Sequence, residues 1–206
     1  MEQESQSFIT TRPFLAKYDA ASVNLESNLE RWIGKALAAP DSTAGLSQLC
    51  RELELAISGG LISLPDRLCA VQPGHYARRL VYDDPVTGVC VLAMVWAPGQ
   101  STALHDHSGL WGVEAVLAGE IESVPFELIE QQDGQYSFRA LPVERIPTGS
   151  TSYLMPPFEH HITRNVSQQV AITLNIYGGE MPACNIFLPS GSGTYIRQRR
   201  ALTYSE

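Results

Sequence analysis

The apolar positions in the first third of the chain recur at the spacing of amphipathic helices. A first set lies between residues 25 and 37, with Asn24 as a candidate N-cap and Pro40 at the end of the segment. A second set runs from Leu46 to Ile57, and the glycine pair at 59–60 predicts its end. The pattern therefore predicts two helices whose apolar faces pack against the rest of the molecule.

From about Tyr76 the pattern changes to short runs of β-type residues separated by turn residues. The run from Val89 to Trp96 is almost unbroken in apolar residues, which is typical of a strand buried on both faces. Asp133 and Gly134 lie between two such runs and predict a hairpin. The other predicted strands cover residues 76–82, 112–117, 121–129, 136–141, 152–155, 170–177 and 185–188. Strands at this spacing without intervening helices predict an antiparallel sandwich or barrel.

The length of 206 residues suits one domain, or one domain with a helical appendage. We expect an N-terminal helical segment over residues 1–75, a β-barrel over 76–190 and a C-terminal tail over 191–206. Three arginines of the tail form a basic cluster, which we interpret as part of a solvated terminus: Arg197, Arg199 and Arg200.

Charge and composition narrow the classes of partner. The formal net charge of −8 argues against a nucleic acid or an anionic membrane, since both need clustered Lys and Arg. The first residues, MEQESQSF, show no secretory signal, and no apolar run approaches the ~20 residues that span a bilayer. Four cysteines without paired spacing favour free thiols in a reducing compartment, so we expect a cytoplasmic protein.

Histidines at the edges of the predicted strands are the candidate chemistry. His105 and His107 are one residue apart, and alternate residues of a strand project to the same face. His161 lies at the edge of another strand-like run, and three neutral imidazoles converging inside a small β-structure indicate a metal site. His160 would face the other way, and we interpret His75 as a loop residue, so neither is a predicted ligand.

Two stretches resemble the paired motifs of the cupin family. The first motif is matched by Gly99, His105, His107 and Gly119, and the second by Pro156, His161 and Asn165. Phe158 stands where the second motif usually has glycine. The resemblance implies a double-stranded β-helix barrel of the jelly-roll type, in agreement with the predicted strands.

Gly112 stands where many cupins place a glutamate ligand. A metal held by three histidines alone keeps its positive charge and open coordination positions. A three-histidine cupin with flanking helices looks like the thiol dioxygenases, chiefly cysteine dioxygenase of the bacterial branch. Gly112 also occupies the position of the cysteine that crosslinks to tyrosine in animal relatives, so no thioether bond to Tyr177 is expected.

Further positions match residues of that family. Tyr76 and Arg78 match the tyrosine and arginine around the substrate carboxylate, Tyr177 matches the active-site tyrosine, and Cys184 matches a downstream cysteine. The resemblance implies one Fe(II) per chain held by the three histidines, Arg78 and Tyr76 as substrate-binding residues, and Tyr177 as a catalytic residue.

Two positions depart from the family pattern. Where relatives carry a Ser-His-Tyr relay, this chain has Thr173, Asn175 and Tyr177, and an amide cannot shuttle protons as imidazole does. Glu114 stands where relatives carry an apolar residue and shares the strand parity of Gly112, so it could point toward the metal or the amino group of the substrate.

The resulting expectation is an iron enzyme that oxidises a small thiol carboxylate with O2 to its sulfinic acid, with L-cysteine as the first choice of substrate. The alternative within the class is 3-mercaptopropionate, although relatives with that activity typically carry glutamine at the position of Arg78. From another class, the alternative is a non-catalytic cupin that binds a small ligand or a metal, which Glu114 and Asn175 favour.

Overall fold

The computed structural model describes residues 20–191 and 193–206, with side chains from Leu25 onward. The opening residues and the side chain of Asn24 lie outside this part of the chain. Within the described residues, three helices precede twelve strands. Their bounds are α1 Ala20–Leu37, α2 Ser42–Ser58, α3 Asp66–Cys69, β1 Ala77–Asp83, β2 Cys90–Trp96, β3 Leu104–His105, β4 Gly112–Ala118, β5 Glu120–Gln132, β6 Gln135–Ala140, β7 Glu144–Pro147, β8 Thr151–Leu154, β9 His161–Arg164, β10 Ala171–Tyr177, β11 Ala183–Gly191 and β12 Thr194–Ala201.

The two long helices pack together through the predicted apolar stripes. The buried residues of these stripes are Leu25, Leu29, Trp32, Ile33, Leu46, Leu49 and Leu53. Helix α2 begins after Asp41, whose carboxylate accepts a hydrogen bond from the Ala44 amide at 2.8 Å, and it ends at Gly59 as predicted. The prediction of Asn24 as the N-cap of α1 is wrong, because the helix already includes Ala20.

The helices cover the outer face of a five-stranded sheet. Val91, Val113 and Leu174 of this sheet belong to the same buried cluster as the helix stripes. All seven residues of β2 are buried, as the sequence predicts, because helices cover one of its faces and the barrel interior covers the other.

Eight strands form a jelly roll. Strands β2-β10-β4-β8 lie side by side in one sheet, and β3-β9-β5-β7 lie side by side in the other. The chain passes from one sheet to the other at nearly every step between these strands, and every strand pair is antiparallel. This is the double-stranded β-helix of cupins, so the predicted fold class is confirmed.

The second sheet also closes on itself. The far half of β5 pairs with β6 through a turn at Asp133 and Gly134, which confirms the predicted hairpin. Strand β6 pairs with β12, and β12 pairs with β11, which completes a ring with β3 and β9. Aromatic side chains fill this ring, including Phe126, Tyr136, Phe138, Phe187 and Tyr195.

The C-terminal residues differ from the predicted tail. Thr194–Ala201 forms strand β12, and its three arginines are exposed on it. The polar sequence gives no β-pattern, yet β11 and β6 supply hydrogen-bonding partners on both sides. The remaining domain bounds stay a prediction. None of the described helices has the length and apolar content needed to cross a membrane.

Candidate metal centre

A cavity of about 540 Å³ opens between the two sheets and contains the three predicted histidines in its wall. His105 ends the short strand β3, His107 follows two residues later, and His161 begins β9. Because β3 and β9 are paired, His105 lies directly opposite His161. The fold thus brings together residues that are more than fifty positions apart in sequence.

The three imidazoles converge on one point. One nitrogen from each ring lies within 4.8 Å of the others, and Nε2 of His107 is 3.1 Å from Nε2 of His161. Ring centroids are 4.6 Å apart for His105 and His161, and 5.0 Å apart for His107 and His161. Among the described residues, no carboxylate or thiolate joins this group.

Hydrogen bonds to the far side of two rings orient them toward that point. Nδ1 of His105 donates to the Ala103 carbonyl at 3.1 Å, since a carbonyl can only accept. The lone pair of its Nε2 is therefore free to bind a metal. Nδ1 of His161 lies 3.3 Å from the Ser123 hydroxyl and 3.5 Å from the Thr163 hydroxyl. These contacts are the kind that set the tautomer of metal-binding histidines.

Burial keeps the imidazoles neutral, which is the form that binds metals. It lowers the pKa of His107 to about 3 and lowers the pKa values of His105 and His161, and the neighbouring histidines lower those of His107 and His161 further. Two neutral nitrogens 3.1 Å apart, as in His107 and His161, need a cation or a proton between them. The residues present therefore fit a divalent transition-metal ion, and imidazole suits iron, nickel, copper and zinc alike.

Gly112 packs closely against two rings of the site. A Cβ at this position would lie 3.1 Å from Nδ1 of His107 and 3.2 Å from the Tyr177 ring. A side chain at this position would therefore require small shifts of both rings. The site thus packs closely around a residue without a side chain, and position 112 supplies no acidic ligand.

The acidic residues next to the histidines accept hydrogen bonds from the loop that carries His107, and they are not part of the histidine group. Glu159 accepts hydrogen bonds from the amides of His107 and Gly109 at 3.0 and 3.2 Å. Asp106 accepts from the Asn185 amide at 2.9 Å and from the Asn185 side chain at 2.6 Å. Both carboxylates are thus engaged in positioning the segment that carries His107.

Arg78 and Tyr76 line the same cavity as the histidines. Arg78 is only 7% exposed, and its guanidinium donates to the Thr203 carbonyl at 3.4 Å and lies 5.7 Å from the Tyr204 ring centroid. Tyr76 stacks on Trp96 with ring centroids 4.4 Å apart. A buried guanidinium with a single neutral hydrogen-bond acceptor retains donors for an anionic ligand.

Tyr177 lies beside the histidines, with its ring centroid 5.3 Å from that of His107. Its hydroxyl contacts Sδ of Met94 at 3.9 Å, a weak acceptor, so the proton remains available to a stronger one. Burial raises the pKa of this hydroxyl, which keeps it protonated.

Glu114 points into the cavity and stays outside the histidine group. Burial raises the pKa of its carboxyl to about 7. The side chain of Asn175 donates to Glu114 at 3.3 Å, Thr173 donates to Asn175 at 2.6 Å, and Trp96 donates to Thr173 at 3.2 Å. Two of the three positions of the expected relay, Thr173 and Asn175, thus belong to a chain of hydrogen bonds that ends on Glu114.

Cys184 and His160, both singled out from the sequence, lie in different surroundings. Cys184 lines the cavity, whereas His160 lies among the aromatic rings of Phe138 and Phe187. His75 is an exposed loop residue, as expected, at the rim of the cavity. Residues 200–205 also line the cavity, and no local sequence pattern marks them. All four cysteines are free thiols, as predicted.

A scan against models of known protein families finds no match for this chain. Among solved structures, it is similar to an uncharacterized conserved protein with a double-stranded β-helix domain from Klebsiella pneumoniae subsp. pneumoniae MGH 78578. Their identity is 21%, with 58% of this chain and 91% of that one covered and a TM-score of 0.44. It is also similar to the Cupin_2 domain of an XRE family transcriptional regulator from Enterobacter cloacae, at 15% identity, 50% and 94% coverage and a TM-score of 0.38. An oxalate oxidase in complex with the substrate analogue glycolate gives 18% identity, 60% and 62% coverage and a TM-score of 0.44.

The strand order and the histidine group together define the class of protein. The chain is a cupin-fold protein whose barrel holds three histidines that could bind a metal ion. One fold hosts many activities, so the side chains of the cavity, and not the fold, determine the activity.

Proposed function

We propose that the protein is a mononuclear non-haem iron thiol dioxygenase that converts a small thiol carboxylate to its sulfinic acid. The observation that carries the proposal is the presence of three neutral imidazoles and the guanidinium of Arg78 in the wall of one cavity, without an acidic ligand in the histidine group. The thiol and O2 together contain all the atoms of the sulfinic acid, so the reaction needs no further reductant.

His105, His107 and His161 would hold the iron. When bound, Fe(II) would supply a Lewis acid for the thiol sulfur and the redox chemistry for O2. The protein would supply positioning, because the three histidines and Arg78 line one cavity whose size suits a small ligand.

The residues around the histidines would bind and orient the substrate. Arg78 would pair with the carboxylate through charge-assisted hydrogen bonds, with Tyr76 beside it. Tyr177 would donate its hydroxyl proton to an acceptor next to the histidines, since burial raises the pKa of its hydroxyl and its contact with the Met94 sulfur is a weak hydrogen bond. Both L-cysteine and 3-mercaptopropionate carry a thiol and a carboxylate. L-Cysteine is the first choice of substrate, and 3-mercaptopropionate is the second.

A second candidate function is a non-catalytic cupin that binds a small ligand or a metal. The presence of Asn175 and Glu114 in the cavity favours it, because an amide replaces the expected relay histidine. Metal analysis of the purified protein separates the two: near-stoichiometric iron supports the oxygenase, whereas zinc, nickel or no metal supports a different cupin chemistry or the binder.

The test of the proposed activity is anaerobic reconstitution with Fe(II), followed by oxygen uptake with L-cysteine and with 3-mercaptopropionate. We expect sulfinic acid, identified by mass spectrometry, in equal amounts to the oxygen consumed. Zinc-loaded protein is the control, since zinc has no redox chemistry. If neither thiol gives a sulfinic acid, the proposed activity is wrong.

A further inference from the structure

The hydrogen bonds between polar side chains inside the barrel run in one direction, from Trp96 to Glu114. Nε1 of Trp96 can only donate, so Thr173 must accept from it at 3.2 Å. The Thr173 hydroxyl then donates to Oδ1 of Asn175 at 2.6 Å, and the Asn175 amide donates to Oε1 of Glu114 at 3.3 Å. In each of these three hydrogen bonds the donor lies on the Trp96 side and the acceptor on the Glu114 side. The series therefore requires an acceptor at position 114.

Glu114 has no charged partner of its own in the described part of the chain. No ion pair includes it, although it is only 8% exposed. The buried Glu122 differs, since Arg164 lies 2.8 Å and Arg145 lies 3.2 Å from its carboxylate. A buried carboxylate is costly unless it is paired, and Glu114 faces a cavity in which a ligand could pair with it.

The cavity therefore contains one carboxyl group, which accepts the hydrogen bond from Asn175, and one guanidinium, which can only donate. Glu114 lies on β4, near the middle of the sheet, whereas Arg78 lies on the edge strand β1. Two intervening strands, β2 and β10, separate them, so the two groups meet different parts of a ligand. A ligand with an anionic end and a hydrogen-donating or cationic group would satisfy both.

We propose that Glu114 is a specificity-determining residue that accepts hydrogen bonds from the amino group of an aminothiol ligand. This inference rests on the proposed function for the thiol and the metal, and adds the residue that distinguishes an aminothiol carboxylate from a thiol carboxylate without an amino group. A site built to bind a donor rejects the analogue that lacks it, because the buried acceptor is then left unpaired.

The test is equilibrium binding, since it does not depend on turnover. L-Cysteine and 3-mercaptopropionate are titrated calorimetrically under anaerobic conditions into metal-loaded wild-type protein and into Glu114→Gln. Glutamine keeps the bond from Asn175 but removes the charge and presents a donor to the ligand. We expect the affinity for L-cysteine to fall about tenfold or more, and that for 3-mercaptopropionate to change less than about threefold.

Glu122→Gln is the matched control, because it removes another buried carboxylate that does not line the cavity; its ratio of affinities should equal that of wild type. If Glu114→Gln does not fold, Glu114→Asp replaces it, and should also weaken L-cysteine selectively. An equal loss for both ligands, or no loss for L-cysteine, overturns the inference.

Different experimental results would contradict the proposed activity and the proposed role of Glu114. If neither thiol is oxidised but the selective loss in Glu114→Gln is observed, the activity is wrong and the role of Glu114 stands. If a thiol is oxidised and the ratio of affinities does not change in Glu114→Gln, the role of Glu114 is wrong and the activity stands.

Discussion

Ser205 and Arg78 are joined by a reciprocal pair of hydrogen bonds. The Ser205 amide donates to the Arg78 carbonyl at 2.6 Å, and the Ser205 hydroxyl accepts from the Arg78 amide at 3.1 Å. Next to this pair, Thr203 and Tyr204 contact the guanidinium. The end of the chain therefore holds Arg78 in the cavity wall, across a separation of 127 residues in sequence.

Removing the guanidinium should weaken substrate binding. For the iron-loaded enzyme, we expect Arg78→Ala to raise KM for a thiol carboxylate by one to two orders of magnitude, equivalent to about 1.5–3 kcal/mol for a charge-assisted pair. Initial rates of oxygen uptake over a range of substrate concentrations measure it. An unchanged KM would remove Arg78 from the substrate site.

Arg79 provides the control on the same strand. Its guanidinium donates to the Ala70 carbonyl at 2.6 Å and to the Glu206 carbonyl at 3.3 Å, away from the cavity. Arg79→Ala should lower the free energy of unfolding and leave KM unchanged. The pair of variants separates the loss of a ligand contact from a general loss of stability.

Replacing His161 should lower the metal content of the protein, whereas replacing the adjacent His160 should not. His161→Ala removes one of three converging nitrogens, so we expect the bound metal per chain to fall about tenfold or more. His160→Ala should keep the metal, because its ring packs against Phe138 and Phe187 outside the cavity. Elemental analysis after dialysis measures both, and equal metal loss in the two variants would contradict the assignment.

The predicted elements are those with a strong local pattern. Amphipathic spacing marks α1 and α2, and β-type runs mark β2, β4 and β10, because periodicity depends only on neighbouring residues. Strands β3, β7 and β9 have two to four residues, too few to show a period. Strand β12 is polar and forms because two distant strands pair with it.

The residues of the site were likewise predictable only where the local sequence has a recognisable pattern. The spacing of His105 and His107 within a recognisable motif gave the histidines, and strand parity suggested that Glu114 could face inward. The contact of Ser205 with Arg78, and the donor chain that ends on Glu114, depend on tertiary structure that no local pattern encodes. Non-local contacts of this kind come only from the folded molecule.

A methyl group at Gly112 should weaken metal binding. In Gly112→Ala, the new Cβ would lie 3.1 Å from Nδ1 of His107, so the imidazole and the Tyr177 ring must shift. Because ring orientation controls ligand geometry, we expect metal affinity to fall about tenfold, measured by competition with a chromophoric chelator. Gly34→Ala in α1 is the control: no neighbour lies within 4 Å, so it should raise stability by up to about 1 kcal/mol and leave metal affinity unchanged. Wild-type affinity in Gly112→Ala would refute the steric argument.

The carboxyl of Glu114 should make stability depend on pH in a defined window. Its pKa is raised from 4.5 to about 7, so the folded protein holds a proton that the unfolded chain releases. Stability is therefore lost as the pH rises from 4.5 to 7, and the full loss is present above 7. Glu114→Gln has no such group, so its free energy of unfolding relative to wild type should increase by about 3 kcal/mol between pH 4.5 and 8.

Denaturant unfolding of both proteins in the presence of a chelator measures this difference. The histidines titrate in wild type and variant alike, so their contribution cancels when the two curves are subtracted. The chelator removes the contribution of bound metal, which also depends on pH. A difference that stays constant from pH 4.5 to 8 would mean that Glu114 titrates near its ordinary pKa, and that water reaches its carboxyl in the folded protein.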